Sequence, residues 1–496
     1  MIEGRLEEFR ALRQQLEERI LAIATSLDGR RFELQAPLQG LDLPPGGYAM
    51  LEDAGGRRLG QVLSMRLEHL DAAEVGWGES GDGPAVRSKV AIRAARGEGV
   101  ILSGDGAPFH DAAIRPATAE EVQAWLAEDA GGRARLPVGE LRLAPGVPFA
   151  LDAGGFDRHT FFCGQSGSGK TYSLGVVLEQ LLLETGLRIV ILDPNSDFAR
   201  LDTVRADAGD AVAARWRALA DAIEIRSGAG DARLCLRLRE LSREARAAML
   251  RLDPVADREE HAELGAVVDD TRPESLEDLV GAARPQARPL ALRIRNLGID
   301  RWGVWARDTG ASALGALGAD GVRCLVLDLG SLDTHEEQAL VAGAVLGTLW
   351  ERRAERRPVL IVIDEAHNVC PSEPPDALTA LATEHAVRIA AEGRKFGLYL
   401  LVCTQRPQKV QENVISQCDN LVLMRMSSEA DLAYTGELLS FAPRALLDGA
   451  TAFRLGEALV AGKLASHPAL IRFGRRVAEE GGGDVEADWA SASQLR

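Results

Sequence analysis

The run Phe161-Phe162-Cys163-Gly164-Gln165-Ser166-Gly167-Ser168-Gly169-Lys170-Thr171 constrains this chain more than any other, because it dictates an apolar strand, a glycine-rich turn and a helix start in immediate succession. Glycines let the backbone curl so that successive N–H groups point inward at a β-phosphate, while Lys170 reaches β and γ oxygens and Thr171 offers a hydroxyl to magnesium. Gly164, Gln165, Ser166, Gly167, Ser168, Gly169, Lys170 and Thr171 are therefore expected to bind a nucleoside triphosphate. With 51 glycines in the chain such a match can arise by chance, but context argues against it. Residues 159–163 read as a short buried strand, and Leu174, Val177, Leu178, Leu181 and Leu182 recur at helical spacing over 172–184. That helix aims its positive end at the phosphates.

Downstream, the apolar run 359–363 ends in Asp364-Glu365-Ala366-His367, a strand terminating in two adjacent carboxylates. Beside a P-loop this has Walker B form: Asp364 is expected to hold the magnesium shell, and Glu365 to orient and deprotonate the water that attacks the γ-phosphate. Strand 188–193 ends in Asp193, assigned to the same nucleotide site. Strand 398–404 ends in Gln405, which either senses the γ-phosphate or opens a turn ahead of Pro407. Arg394 closes the helix before that strand. It either compensates a helix dipole or reaches the γ-phosphate of a neighbouring subunit, and Arg158 is a second candidate for that contact.

At 496 residues the chain is too long for one ordinary core, and about three units are expected. Its 46% hydrophobic and 26% charged content is that of a soluble globular protein, with no apolar run near the roughly 18 residues that span a bilayer. The first residues alternate Glu, Arg and Leu where a secretory leader would be apolar. Six scattered cysteines, without C-x-x-C or a nearby histidine pair, exclude a zinc or disulfide framework and point to the cytoplasm. A net charge of −17 argues against a protein that coats DNA through a generally basic surface. It leaves open a ring whose cations face only a central channel.

The organisation follows from changes of pattern. Leu6, Phe9, Leu12, Leu16, Ile20, Ile23 and Leu27 predict an amphipathic helix over 5–27, within a first unit 1–29; its apolar face packs on the same chain or docks a partner. Short β-like runs at 48–51, 59–65, 90–95 and 138–143 predict a small β-barrel over 30–150, interrupted by a helix whose Thr118 and Glu121 are spaced as a capping box. Buried strands alternating with helices predict a doubly wound α/β core over 151–204 and 321–478. Residues 205–320 read as a mainly helical insertion with breaks near Asp253-Pro254, Arg272-Pro273 and Arg284-Pro285, and 479–496 as a tail.

Taken together, these residues resemble the HerA branch of the HerA/FtsK superfamily of ring-forming DNA translocases. The likeness rests on Arg158-His159-Thr160 leading into the P-loop, on Asp193-Pro194-Asn195-Ser196-Asp197-Phe198, on Asp364-Glu365-Ala366-His367, and on Glu392-Gly393-Arg394-Lys395-Phe396-Gly397 with Thr404-Gln405-Arg406-Pro407 and Ser416-Gln417-Cys418-Asp419-Asn420. It extends over about residues 30–475. It implies an α/β fold with a RecA-like P-loop ATPase core, a helical insertion and an N-terminal β-barrel. It further implies ATP and Mg2+ at the interfaces of a homo-hexamer, double-stranded DNA in the pore, and Arg394 or Arg158 supplied across an interface. The partner on the barrel side is expected to be a NurA-like nuclease, or a nuclease or NAD-consuming effector of antiviral defence. Relatives commonly carry Asp-Pro-His-Gly-Glu-Tyr where this chain has Asp-Pro-Asn-Ser-Asp-Phe, so no role attaches to the missing histidine, although Asp193 and an acid at 197 persist. DEAH-box RNA helicases are excluded, since their Ser-Ala-Thr and arginine-rich elements do not occur.

Two functions remain in competition. One is an ATP-driven double-stranded DNA translocase or helicase gripping the backbone without sequence preference, with Arg406 and Lys409 as candidate loop contacts. The other is a hexameric regulatory ATPase platform that assembles or activates an effector without processive DNA movement.

Overall fold

The computed structural model describes residues 2–39, 42–77, 86–104, 106–229, 232–271, 288–306 and 312–482. The expected breaks at Arg272-Pro273 and Arg284-Pro285, and the tail beyond 482, lie outside the described residues.

Helix α1 (Ile2–Glu18) ends well before the expected 27. Ile23 and Leu27 continue its apolar spacing, but the β-branched pair Ile23 and Thr25 lies in strand β1 (Ile23–Ser26), where the chain gains two sheet partners at once. Leu27 is left 79% exposed just past the strand, so the stripe continued by coincidence. The last turn of α1 packs on its own chain: Glu17 accepts from the backbone N–H and the guanidinium of Arg93 at 3.2 and 3.3 Å.

Strand β1 joins β2 (Arg31–Ala36), β3 (Tyr48–Asp53), β4 (Gly56–Trp77), β5 (Val86–Ser103) and β6 (Phe109–Pro116) in a closed barrel of order β1-β2-β5-β4-β3-β6. Alternate inward residues fill it, among them Phe32, Leu34, Leu51, Val62 and Ile114. Helix α2 (Ala119–Ala130) follows, with both capping-box bonds between Thr118 and Glu121 formed.

The core strands are β7 (Arg135–Leu141), β8 (Pro148–Asp152), β9 (Thr160–Cys163), β10 (Arg188–Asp193), β11 (Ile223–Arg226), β12 (Cys324–Asp328), β13 (Val359–Ile363), β14 (Leu398–Thr404), β15 (Asn420–Met424), β16 (Glu457–Gly462) and β17 (Ala469–Phe473). They form one 11-stranded sheet in the order β11-β12-β10-β13-β14-β9-β15-β16-β17-β7-β8. From β11 to β15 all neighbours are parallel, and beyond β15 they are antiparallel. Two expectations about strands change. The run expected at 138–143 belongs to this sheet and not to the barrel, because β7 pairs with β17. The segment 205–320 is not purely helical, since β11 extends the parallel sheet beyond β12. In each case pairing with a distant strand supplied a signal that local pattern lacks.

Barrel and core meet at buried polar contacts. Tyr48 Oη lies 2.7 Å from His467 Nε2, and Gln61 Nε2 donates to Pro468 O at 2.8 Å. Helix α3 (Lys170–Glu184) packs under the sheet with Leu174, Val177, Leu178 and Leu181 fully buried, as their spacing predicts. Among the described residues no helix is long and apolar enough to cross a membrane, and all six cysteines are free and buried.

Candidate active site

Parallel strands end on one edge of a sheet, and here the register sets the chemistry there. Ile363 of β13 lies beside Leu192 of β10 and Val402 of β14, and Thr404 lies beside Cys163. Residues following these strands therefore converge: Gly164 and the P-loop after β9, Asp193 ending β10, Asp364 and Glu365 after β13, and Gln405 after β14. Strand β14 stands between β13 and β9, so Gln405 at its tip lies on the same sheet edge as the P-loop and Asp364.

The P-loop is held open by Gly167 and Gly169 at φ 71° and 87°, values a side chain would strain. Its rim is tied down from behind. Gln165 Oε1 accepts from the backbone N–H and hydroxyl of Ser427, Arg425 Nη2 donates to Gly167 O at 2.9 Å, and Gly456 N donates to Ser168 O at 3.2 Å. Ser166 faces outward on the loop, while Ser168 is buried.

Lys170 is 7% exposed and folds onto the acids, with Nζ 3.0 Å from Asp364 Oδ1 and 3.1 Å from Glu365 Oε1. Cys403 Sγ lies 3.4 Å from the same ammonium. Glu365 sits at φ 41°, a left-handed conformation rare for a non-glycine residue and an instance of backbone strain at a reactive position. Burial pushes its carboxyl up, yet the His367 hydrogen bond and the Lys170 charge outweigh this and hold it below its ordinary range. It is thus an ionised base at neutral pH. His367 Nδ1 lies 3.2 Å from both Glu365 Oε2 and Thr404 Oγ1, which links the base to the tip of β14.

Three carboxylates, Asp193, Asp197 and Asp364, present oxygens within 4.8 Å of one another. Thr171 Oγ1 donates to Asp197 Oδ2 at 3.4 Å, which brings the P-loop hydroxyl into the same cluster. Burial, reinforced by the charge of Asp364, pushes Asp193 up to about 7 and Asp197 up to about 6, even though Asp193 accepts backbone N–H groups from Asn195, Asp197 and Phe198. Asp364 Oδ2 is buried without a hydrogen-bond partner. Crowded acids, an orphaned oxygen and a single lysine leave excess negative charge, so this donor set of hard oxygens fits a divalent cation of magnesium type. Asp193 serves mainly to fold the loop that presents Asp197. Asp197, four residues past the end of β10, joins the cluster only through the fold of its loop, and its acidic type at that spacing is the one signal the sequence carries for it. His367, two residues after Glu365, likewise gains its place beside the base only from the fold.

Arg158 and Arg394 are not near this cluster. Both flank the opposite edge of the sheet, where β9, β14 and β15 begin, and both converge on Asp419. Arg394 Nη1 lies 2.6 Å and Arg158 Nε 3.6 Å from the same Asp419 oxygen. His159 lies buried beside them, driven down to about 4 by burial and by the charge of Arg394, so no third cation forms there. The structure thus brings together Lys170, Thr171, Asp193, Asp364, Glu365 and Gln405 on one edge, and Arg158 with Arg394 on the other.

Comparison with known proteins agrees with this architecture. The family model described as "Helicase HerA, central domain" matches residues 136–313. The chain is 32% identical over 179 residues to the DNA double-strand break repair helicase HerA of Sulfurisphaera tokodaii, covering 34% of this chain and 35% of that protein. It is 26% identical over 395 residues to the protein of the same name from Pyrococcus furiosus, covering 69% and 70%. The matched segment spans about a third of the length of the Sulfurisphaera tokodaii and Sulfolobus acidocaldarius relatives, 35% in each. Among solved structures, VirB4 of Thermoanaerobacter pseudethanolicus superposes with a TM-score of 0.51 at 15% identity, over 72% of this chain and 98% of that one, a likeness of fold.

Proposed function

We propose that this chain, which is similar to HerA helicases through its central domain, is a Mg2+-dependent ATPase that assembles head to tail into a ring, a hexamer, and drives double-stranded DNA through the centre. One observation supports this most: two arginines converge on one oxygen at the sheet edge opposite Lys170, Asp364 and Glu365. A γ-phosphate is an anion of similar reach to that carboxylate, and an adjoining subunit would present one to these guanidinium groups.

On this reading the roles follow from position. Backbone N–H groups of residues 164–169 cradle the phosphates, with Lys170 leaving Asp364 and Glu365 for the β and γ oxygens. Thr171, Asp364 and Asp197 would hold Mg2+, which would supply charge neutralisation at the transferring phosphoryl group. Glu365 takes a proton from the attacking water, with His367 fixing its orientation. Gln405 reports the γ-phosphate to the rest of β14, and Arg394 or Arg158 completes the site in trans.

DNA contacts are to phosphate, with Arg406 and Lys409 as loop candidates; a nuclease or an NAD-consuming effector docks on the barrel side, in repair or antiviral defence in the cytoplasm. The test is ATPase activity with and without duplex DNA, paired with a strand-displacement or roadblock assay. DNA-stimulated turnover with movement, abolished in Lys170→Ala and Glu365→Ala, supports the motor. Turnover indifferent to DNA, with no movement, replaces it with the regulatory platform.

A further inference from the structure

After β17 the chain does not leave the core but runs back across α3 and the loop following β10. Arg476 on this segment is 1% exposed, and its Nε donates to Glu179 of α3 at 3.0 Å. Glu179, itself fully buried, also accepts the backbone N–H groups of Val477 and Ala478 at 2.6 and 3.2 Å. Tyr172, the residue after Thr171, accepts the Arg476 N–H at 2.9 Å. The fit requires Gly175, since a Cβ there would stand 2.4 Å from the guanidinium.

The same segment grips the acidic loop. The Arg476 guanidinium lies 5.7 Å from the Phe198 ring centroid, and Phe198 N donates to Asp193 Oδ2 at 2.8 Å. Gly481 N donates to Asp197 O at 3.0 Å, and a Cβ on Gly481 would strike Ser196 O at 2.0 Å. One short strap therefore bonds both to the helix that begins with Lys170 and Thr171 and to the loop that presents Asp197.

A buried ion pair of this kind is a poor device for stability, because desolvation offsets most of its Coulombic gain, and apolar replacements often serve as well. Its use here is registry. We propose that residues 474–482 are a working part of the nucleotide site, with Arg476 as a positioning residue that holds Asp197 at the distance from Thr171 and Asp364 that a divalent cation requires. The inference rests on the proposed cation role of that cluster. Outer-shell partners of metal ligands commonly change metal affinity by about 10–100-fold when removed.

The experiment is Mg2+ titration of a fluorescent ATP analogue bound to the full-length chain, with binding in EDTA as the reference. Glu179→Gln with Arg476→Met removes both charges and keeps an acceptor for Val477 N–H; it is expected to preserve the melting temperature and EDTA binding while raising the Mg2+ midpoint about tenfold. Gly481→Ala, which pushes directly on Ser196 without touching the ion pair, is expected to shift the midpoint in the same direction. Arg476→Lys, which keeps a cation beside Glu179, should stay near wild type. Unmoved midpoints in both the double variant and Gly481→Ala overturn the proposal. A wild-type chain that binds equally with Mg2+ and EDTA refutes the cation reading beneath it, a failure distinct from variants that leave a real Mg2+ response unchanged.

Discussion

Arg394→Ala mixed with Lys170→Ala tests whether the site is shared between subunits. Strand β14 separates the two edges by seven residues, and at about 3.3 Å per residue Arg394 starts roughly 20 Å from the phosphates its own P-loop would hold. No arginine spans that distance, so any contact with a γ-phosphate crosses a subunit boundary. Loss of such a finger is expected to cut turnover by about 10³–10⁵, and loss of the P-loop lysine disables the site outright. In a random equimolar mixture, an intact site forms only where an Arg394→Ala subunit supplies the P-loop and a Lys170→Ala subunit supplies the arginine. That is about one pairing in four, so steady-state ATPase should recover to about a quarter of wild type when head-to-tail interfaces act independently. Native mass spectrometry shows whether subunits have exchanged. Exchanged assemblies that stay at the parental level, or full turnover in Arg394→Ala alone, would refute the reasoning; the same mixture with Arg158→Ala identifies which arginine carries the role.

Glu365→Gln is expected to lower turnover by about 10²–10⁴ while nucleotide binding persists, as stopped-flow and equilibrium fluorescence can separate. Asp197 must lose its proton before a cation is held, and with its value raised to about 6 it takes that proton up as pH falls. The Mg2+ midpoint for nucleotide binding should therefore rise about twofold between pH 8 and pH 6, and a flat profile would remove the assignment. Gly175→Ala drives a methyl into the Arg476 guanidinium and should cost about 1–3 kcal/mol in thermal or chemical unfolding, in spite of alanine's better helix propensity. An unchanged melting point would show that the strap sits farther from α3 than the structure places it.

What the sequence disclosed was chemistry carried by local order. Gly167, Gly169 and Lys170 announce a phosphate loop because turn and helix start are dictated within a few residues, and Asp364 is legible because an apolar strand must end where its first acid stands. Legibility fails where the partner is distant. Arg476 and Glu179 are 297 residues apart, and an arginine in Gly474-Arg475-Arg476 looks like any surface cation until its burial is seen. Strand β1 failed for the related reason that Ile20, Ile23 and Leu27 satisfy helical spacing, while two barrel neighbours decide the outcome. Asp197 lay between these cases: its type was visible, but its approach to Thr171 depends on a loop folded around Asp193.

The parallel sheet itself gives a reason why one chain would hold only half of the proposed site. Parallel strands give the sheet two chemically different edges, and this sequence has loaded them oppositely. Asp193, Asp328 and Asp364 stand together at the ends of β10, β12 and β13, with Ser196 bridging to Asp328 at 2.6 Å. Arg188 opens β10 next to Arg323, which precedes β12, while Arg158 and Arg394 flank β9 and β14. Edges of opposite charge on a rigid slab cannot meet within one subunit, but they are complementary between subunits placed head to tail. Such contacts are heterologous: they close into rings when the rotation per subunit divides a full turn, and otherwise grow as filaments. Hydrolysis at that junction would then change the attraction between edges, because the γ-phosphate on one side and the arginines freed from Asp419 on the other are present together only before cleavage. A motor of this design needs no separate lever, since the bond being broken is also part of the contact between neighbours.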